Sequence, residues 1–135
     1  MGNNMYKGYK FKEKKILIDQ KKVDLYAKAS GDNNPIHLSK EYAQTTSYGR
    51  RIAHGMLTLG ILSEILVKEF PKSWYKKGNI KVRFTAPVFP SEYIITYGEI
   101  ISIIESDEKK IAKCNIGCKK IDGTDIISGK AEIIF

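Results

Sequence analysis

Apolar and polar positions fall into two regimes along the chain, helical in its first half and strand-like in its second. Val23, Tyr26 and Ala27 recur at helical spacing. Asp19 stands where an N-cap belongs and Gly31 where such a helix would stop. Before it, Gly8 to Ile18 begins mixed and ends Ile16-Leu17-Ile18, a strand or extended arm leading into the helix. Further on, Met56, Leu57, Leu59, Ile61, Leu62, Ile65, Leu66 and Val67 leave almost no polar face. They predict a central helix from Gly55 to Phe70, closed by Pro71 and buried on nearly all sides. Thr58, Gly60 and Ser63 are the small positions of that helix, where a backbone or a ligand can come close.

From Ile80 onward the period is that of strands. Ile80 to Phe84 alternates strictly, and Pro87 and Pro90 bracket Val88-Phe89 as an edge or bend. Tyr93 to Ile104, Ile111 to Ile121 and Thr124 to Phe135 predict a meander. Its turns fall at Ser106-Asp107-Glu108-Lys109 and, as a two-residue hairpin, at Asp122-Gly123. One buried helix followed by antiparallel strands predicts an α+β fold with the sheet wrapped around the helix, a single domain over residues 1–135. Cys114 and Cys118, four apart in a strand, share one sheet face. They read as small core residues of a reducing, cytoplasmic setting, not as a disulfide. The longest apolar helical stretch is far short of the roughly 18–20 residues that span a bilayer. The start of the chain has no apolar run of the signal-peptide kind.

Charge changes the picture little. The formal net charge is +8, and 20 of the 23 basic residues are Lys, scattered along the chain. Nucleic-acid readers lean on Arg and interleaved aromatics at a defined patch, which this pattern lacks. A basic rim would instead attract a phosphorylated or acidic carrier.

The periodicity breaks between the two helices, and there the chemistry concentrates. Gly31 accepts positive φ, Asp32, Asn33 and Asn34 form turns, and Pro35 suits the first position of a helix that Asn34 can cap. The path from Asp32 to His37 is therefore stiff and places a carboxylate near an imidazole. Ser39 can cap a short helix over Lys40 to Gln44, and Thr45 to Arg51 is a polar loop in which Tyr48 is an exposed aromatic or a substrate wall. Asp32, His37 and His54 are of metal-ligating type, but their spacing lacks a His-x-x-x-His pair. No metal is expected, and His54 reads as a buried hydrogen-bonding residue.

The string Ser30-Gly31-Asp32-Asn33-Asn34-Pro35-Ile36-His37 resembles the signature of the MaoC-like, or (R)-specific, enoyl-CoA hydratases. Two further blocks fit in order and approximate spacing: Arg51-Ile52-Ala53-His54-Gly55-Met56-Leu57-Thr58-Leu59-Gly60 and Val82-Arg83-Phe84-Thr85-Ala86-Pro87-Val88. The chain is also similar to catalytic subunits of 3-hydroxyacyl-ACP dehydratases. The resemblance implies a hot-dog fold, with an overhanging helical segment carrying the bend. It also implies a homodimer or larger homo-oligomer, in which long strands such as Tyr93 to Ile104 would pair their edges.

What the resemblance implies chemically is reversible addition of water to a 2-enoyl thioester, with (R) configuration at C3. Asp32 and His37 would bind and activate one water, and the sequence does not say which is the base. The N–H of Gly55, at the tip of the central helix, would hold the charge gathering on the thioester oxygen. Asn34 would fix the bend. Ser63, about 12 Å along the helix from Gly55, would line a tunnel or support a partner. No cofactor is expected beyond CoA or ACP as the substrate's carrier. Three alternatives stay open at this point: a hot-dog thioesterase, for which Glu64 is the candidate helix carboxylate; a non-catalytic acyl-thioester-binding subunit; and a basic nucleic-acid-binding module.

Overall fold

The helix ends are set by local chemistry, as the sequence suggests. The structure, a computed structural model, describes residues 5–135. Helix α1 (Gln20–Ser30) starts where the Asp19 carboxylate accepts the Lys22 N–H, and it stops at Gly31, whose φ of 80° is left-handed. Helix α2 (Pro35–Leu38) is capped by Asn34, which accepts the Ile36 N–H, and α3 (Lys40–Gln44) by Ser39, which accepts the Tyr42 N–H. The central helix α4 (Gly55–Glu69) ends two residues before Pro71 and is followed by a short α5 (Ser73–Lys77), which the sequence pattern does not announce.

Five antiparallel strands follow the order β1 (Lys14–Ile18), β3 (Glu92–Ser106), β4 (Lys109–Lys120), β5 (Asp125–Ile134), β2 (Gly78–Phe84). The sheet packs α4 against β3 and β4. On the helix, Thr58, Ile61, Leu62, Ile65 and Leu66 are buried. The four apolar ones, Ile61, Leu62, Ile65 and Leu66, share one cluster with Ile94 and Ile100 of β3 and Cys114 and Ile116 of β4. Each fully buried Leu or Ile here contributes on the order of 1.5–3 kcal/mol. Burial is one-sided, however. Met56 is 59% exposed, and Leu59, Ser63 and Val67 are only partly covered within one chain. The expectation of a helix enclosed on nearly all sides is thus corrected: five strands cover one face, and the opposite apolar strip is left half-bare.

Strand edges also differ from expectation. β3 is not an edge. β1 covers it from Glu92 to Thr96, and the arm before β1 continues the pairing as far as Ile100, through Phe11 N–H to Gly98 O and Ile100 N–H to Tyr9 O. The outer strands of the sheet are β1 and β2. Register shifts in β3 between Ile100 and Ser102, and between β4 and β5 near Cys118, mark bulges. The second lets both Ile126 and Ile127 be buried, which strict alternation forbids.

The two turns exchange roles. Asp122-Gly123 is not a two-residue hairpin. Gly123, at φ 92°, donates to the Lys120 carbonyl as the closing residue of a longer connection from Lys120 to Asp125. The two-residue hairpin is Asp107-Glu108, both at positive φ (47° and 64°), between the paired residues Ser106 and Lys109. Opposed strand twist requires this turn, and a glutamate pays steric strain to make it. Among the described residues no helix is long and apolar enough to cross a membrane.

Glu108→Gly should therefore stabilise the protein by about 1 kcal/mol in urea unfolding, since glycine reaches positive φ without the Cβ clash. Burial pushes both Cys114 and Cys118 from an ordinary value of 9.0 up to about 12. Their folded-state pKa is raised, so their contribution to stability is intact below pH 9 and is lost as pH rises toward 12. A thiol reagent at pH 8 should leave both unmodified in the native protein and label both once urea unfolds it.

Candidate active site

The bend between α1 and α2 is held by its own side chains. Ser30 Oγ accepts the Asp32 N–H at 3.1 Å, and Asp32 Oδ1 accepts the Asn34 N–H at 3.3 Å. Asn34 Oδ1 then accepts the Ile36 N–H at 3.1 Å. Three consecutive side-chain-to-backbone bonds leave the segment little freedom, and the amide of Asn34 is committed to the turn.

The bend docks on the extended segment entering α4. Ile52 donates its N–H to the Ile36 carbonyl at 3.2 Å, and its own carbonyl meets Nδ1 of His37 at 2.8 Å. Two residues on, Nε2 of His54 meets the Asp32 carbonyl at 3.0 Å. A carbonyl only accepts, so Nδ1 of His37 and Nε2 of His54 carry their rings' protons. Nε2 of His37 and Nδ1 of His54 are left as lone pairs. The imidazoles stack, with ring centroids 3.8 Å apart and 26° between planes, and Tyr26 packs against His54 at 4.8 Å. His37 is 9% exposed and His54 2%, whereas Asp32 faces solvent.

A carboxylate oxygen of Asp32 and one ring nitrogen each of His37 and His54 lie within 4.8 Å of one another. Stacking keeps the in-plane lone pairs of the two rings in nearly parallel sheets. The three groups are of metal-ligating type, and the same close set of acceptors can also bind and orient a water.

Gly55 opens α4 directly after His54. No side chain caps this helix. Its first N–H groups, and the positive end of its dipole, remain available to an anion. A Cβ at Gly55 would sit 3.1 Å from Cε1 of Phe84, so a side chain there would have to displace the ring. A cavity of about 310 Å³ adjoins this tip, lined by Tyr48, Ile52, Gly55, Thr58, Phe84 and Val88 among others. Asp32 and His37 do not line it; Ile52, whose carbonyl meets Nδ1 of His37, and Gly55, which follows His54, do. A roomier hollow of about 550 Å³, beside Phe11, Tyr97 and Gly129, touches none of these residues.

The structure thus brings Asp32, Asn34, His37 and Gly55 to one place, and Tyr48 to the cavity wall while about half exposed. Ser63 is elsewhere: its hydroxyl donates to the Gly60 carbonyl at 2.7 Å within α4. Glu64 lies on an exposed face paired with Lys14 at 2.7 Å, outside the site. Sequence reasoning missed the carbonyls of Asp32 and Ile52, because a main-chain acceptor has no residue-type signal. It also missed Tyr26 as the packing partner of His54. Gln20 escaped it too; this side chain donates from Nε2 to the His37 carbonyl at 2.9 Å.

A family model described as a MaoC like domain matches residues 3–118. The chain is 32% identical over 117 residues to an (R)-specific enoyl-CoA hydratase of Rhodospirillum rubrum, covering 87% of this chain and 79% of that one. It is also 32% identical over 105 residues to a 3-hydroxybutyryl-CoA dehydratase of Methylorubrum extorquens, covering 76% and 67%. The unliganded R-hydratase of Pseudomonas aeruginosa shares the fold at a TM-score of 0.83 and 27% identity, over 98% of this chain and 83% of that one. A five-stranded antiparallel sheet around one helix, matched at this level, is a hot-dog fold. Within that fold the chain belongs to the MaoC-like family of hydro-lyases.

Asn34→Ala should lower stability by about 1 kcal/mol through loss of the α2 cap, while Asn34→Asp should keep most of it, as urea unfolding of both variants would show.

Proposed function

We propose that the protein catalyses the reversible, (R)-specific hydration of 2-enoyl thioesters carried on CoA or ACP. The observation that carries this reading is the spacing of the Asp32 carboxylate and the His37 ring. They stand within 4.8 Å, and no direct hydrogen bond joins them. One water, at about 2.8 Å from each, spans that gap.

The roles follow from the hydrogen bonds. Nδ1–H of His37 is committed to Ile52, so Nε2 is the basic position. Asp32 accepts one hydrogen of the water and orients it. Nε2 takes the other as the water oxygen bonds to C3. Electron density moves through C2 to the thioester oxygen, which meets the uncapped N–H groups at Gly55. The imidazolium then returns its proton to C2. Water has been added across the double bond, and His37 is restored. Dehydration of a 3-hydroxyacyl thioester is the same path reversed. The 310 Å³ cavity beside Gly55 offers apolar walls to an acyl chain. The pairing of Glu64 with Lys14 on an exposed face speaks against a thioesterase built on a helix carboxylate.

The same reading takes a homodimer as the acting species. Its support is the half-bare strip Met56, Leu59, Ser63 and Val67 on α4 and the outer position of β2. Ser63 would then face the second copy.

Crotonyl-CoA should be converted to (R)-3-hydroxybutyryl-CoA with no release of free CoA. Asp32→Asn and His37→Ala should each lower kcat about 10²- to 10⁴-fold while remaining folded. Undiminished hydration in Asp32→Asn, or thiol release without hydration, would overturn the proposal.

A further inference from the structure

His54 occupies the N-cap position of α4, where Ser, Thr, Asp or Asn is preferred. Its side chain does not cap. It turns away from the helix, donates from Nε2 to the Asp32 carbonyl at 3.0 Å, and lies against the His37 ring at a centroid distance of 3.8 Å. This buried ring therefore touches both members of the pair, one through its main chain and the other through its ring face. Nδ1 is buried without a hydrogen-bond partner, a condition a purely structural polar residue seldom tolerates.

We propose that His54 is a positioning residue for the Asp32–His37 pair, acting through two separable contacts, and that its failure to cap leaves the Met56 amide, next to Gly55, without a side-chain acceptor. The inference rests on the hydratase reading above. The bond to the Asp32 carbonyl sets where the bend stands relative to the helix tip, and hence the distance from the carboxylate to the oxyanion-binding amides. The stack sets the plane of His37, and with it the direction in which Nε2 points. Tyr26, packed on His54 at 4.8 Å, closes the stack from the α1 side. None of these contacts reaches substrate, so disturbing them should leave binding nearly intact and misplace the reacting groups. A displacement of about 1 Å can cost a hundredfold in rate.

Two substitutions divide the contacts. His54→Gln keeps an N–H donor at similar reach and loses the stack; His54→Phe keeps the stack and loses the donor. With crotonyl-CoA as substrate, each should lower kcat about 10- to 100-fold and move KM by less than about threefold. The double variant His54→Phe with Asp32→Asn should be little worse than Asp32→Asn alone, as expected of groups acting as a unit. Wild-type kcat in both folded single variants would overturn the inference, as would a large rise in KM with kcat unchanged. Should the variants not fold, the wild-type protein still decides. A ¹⁵N-detected imidazole spectrum should show His54 with its proton on Nε2 and Nδ1 bare, and the opposite tautomer would overturn the inference. Asp32→Asn separates the two failures. If it abolishes hydration while both His54 variants keep wild-type kcat, only the role of His54 falls. If it leaves hydration intact, the underlying reading falls as well.

Discussion

The site depends on the docking of one bend against the three residues that lead into α4. Hydrogen bonds from Ile52 N–H to Ile36 O, and from the His37 and His54 rings to the carbonyls of Ile52 and Asp32, join segments 15 to 22 residues apart in sequence. Both acceptors are main-chain carbonyls. They cannot rotate independently of the backbone, so they fix ring orientation more firmly than a side-chain acceptor would. They also settle the tautomers, because a carbonyl has no proton to give. The two imidazoles, the bend that carries Asp32 and the helix tip are thereby placed relative to one another by the fold itself.

The same docking explains why α4 starts as it does. A good N-cap at position 54 would take up the second or third amide of α4, beside the Gly55 N–H proposed to meet the thioester oxygen. The chain instead places a histidine there whose side chain serves the bend, and leaves the helix uncapped. A buried lone pair without a partner costs about 1–3 kcal/mol. That cost is small beside the burial of Leu62, Leu66, Ile94, Ile100 and Ile116 in the core. Strain of this kind is tolerated where the surrounding packing holds the geometry regardless.

The sheet plays the complementary part. β3 and β4 supply the apolar floor on which α4 rests. The bulge near Cys118 turns Ile126 inward, to the cavity beside Gly55, and Phe84, at the end of β2, approaches Gly55 so closely that no side chain fits there without displacing the ring. The helix tip is bounded by strand ends on one side and by the docked bend on the other. Its open approach is the route a thioester carbonyl would take to the amides.

Much of this was legible in the chain itself, for local reasons. Asp19, Gly31, Asn34, Pro35, Ser39 and Pro71 mark helix ends because caps and breakers act on neighbours a few residues away. The motif from Ser30 to His37 located the bend, and its internal bonds are likewise local. The half-bare side of α4 was not legible, since an apolar helix pattern does not say how many neighbours will cover it. Nor was the exchange of turn types: Asp122-Gly123 has the stronger hairpin signal, but the bulge between β4 and β5 sets the register there, and register is a property of paired strands. The stack of His37 on His54 and the carbonyls that orient both rings lay beyond the sequence for the same reason. They exist only once residues 15 to 22 positions apart share one surface, and main-chain acceptors look alike at every position. Amino-acid order thus determined where the chain turns and which residues could do chemistry; tertiary packing decided which nitrogen of each imidazole is free, because that depends on what the other nitrogen meets.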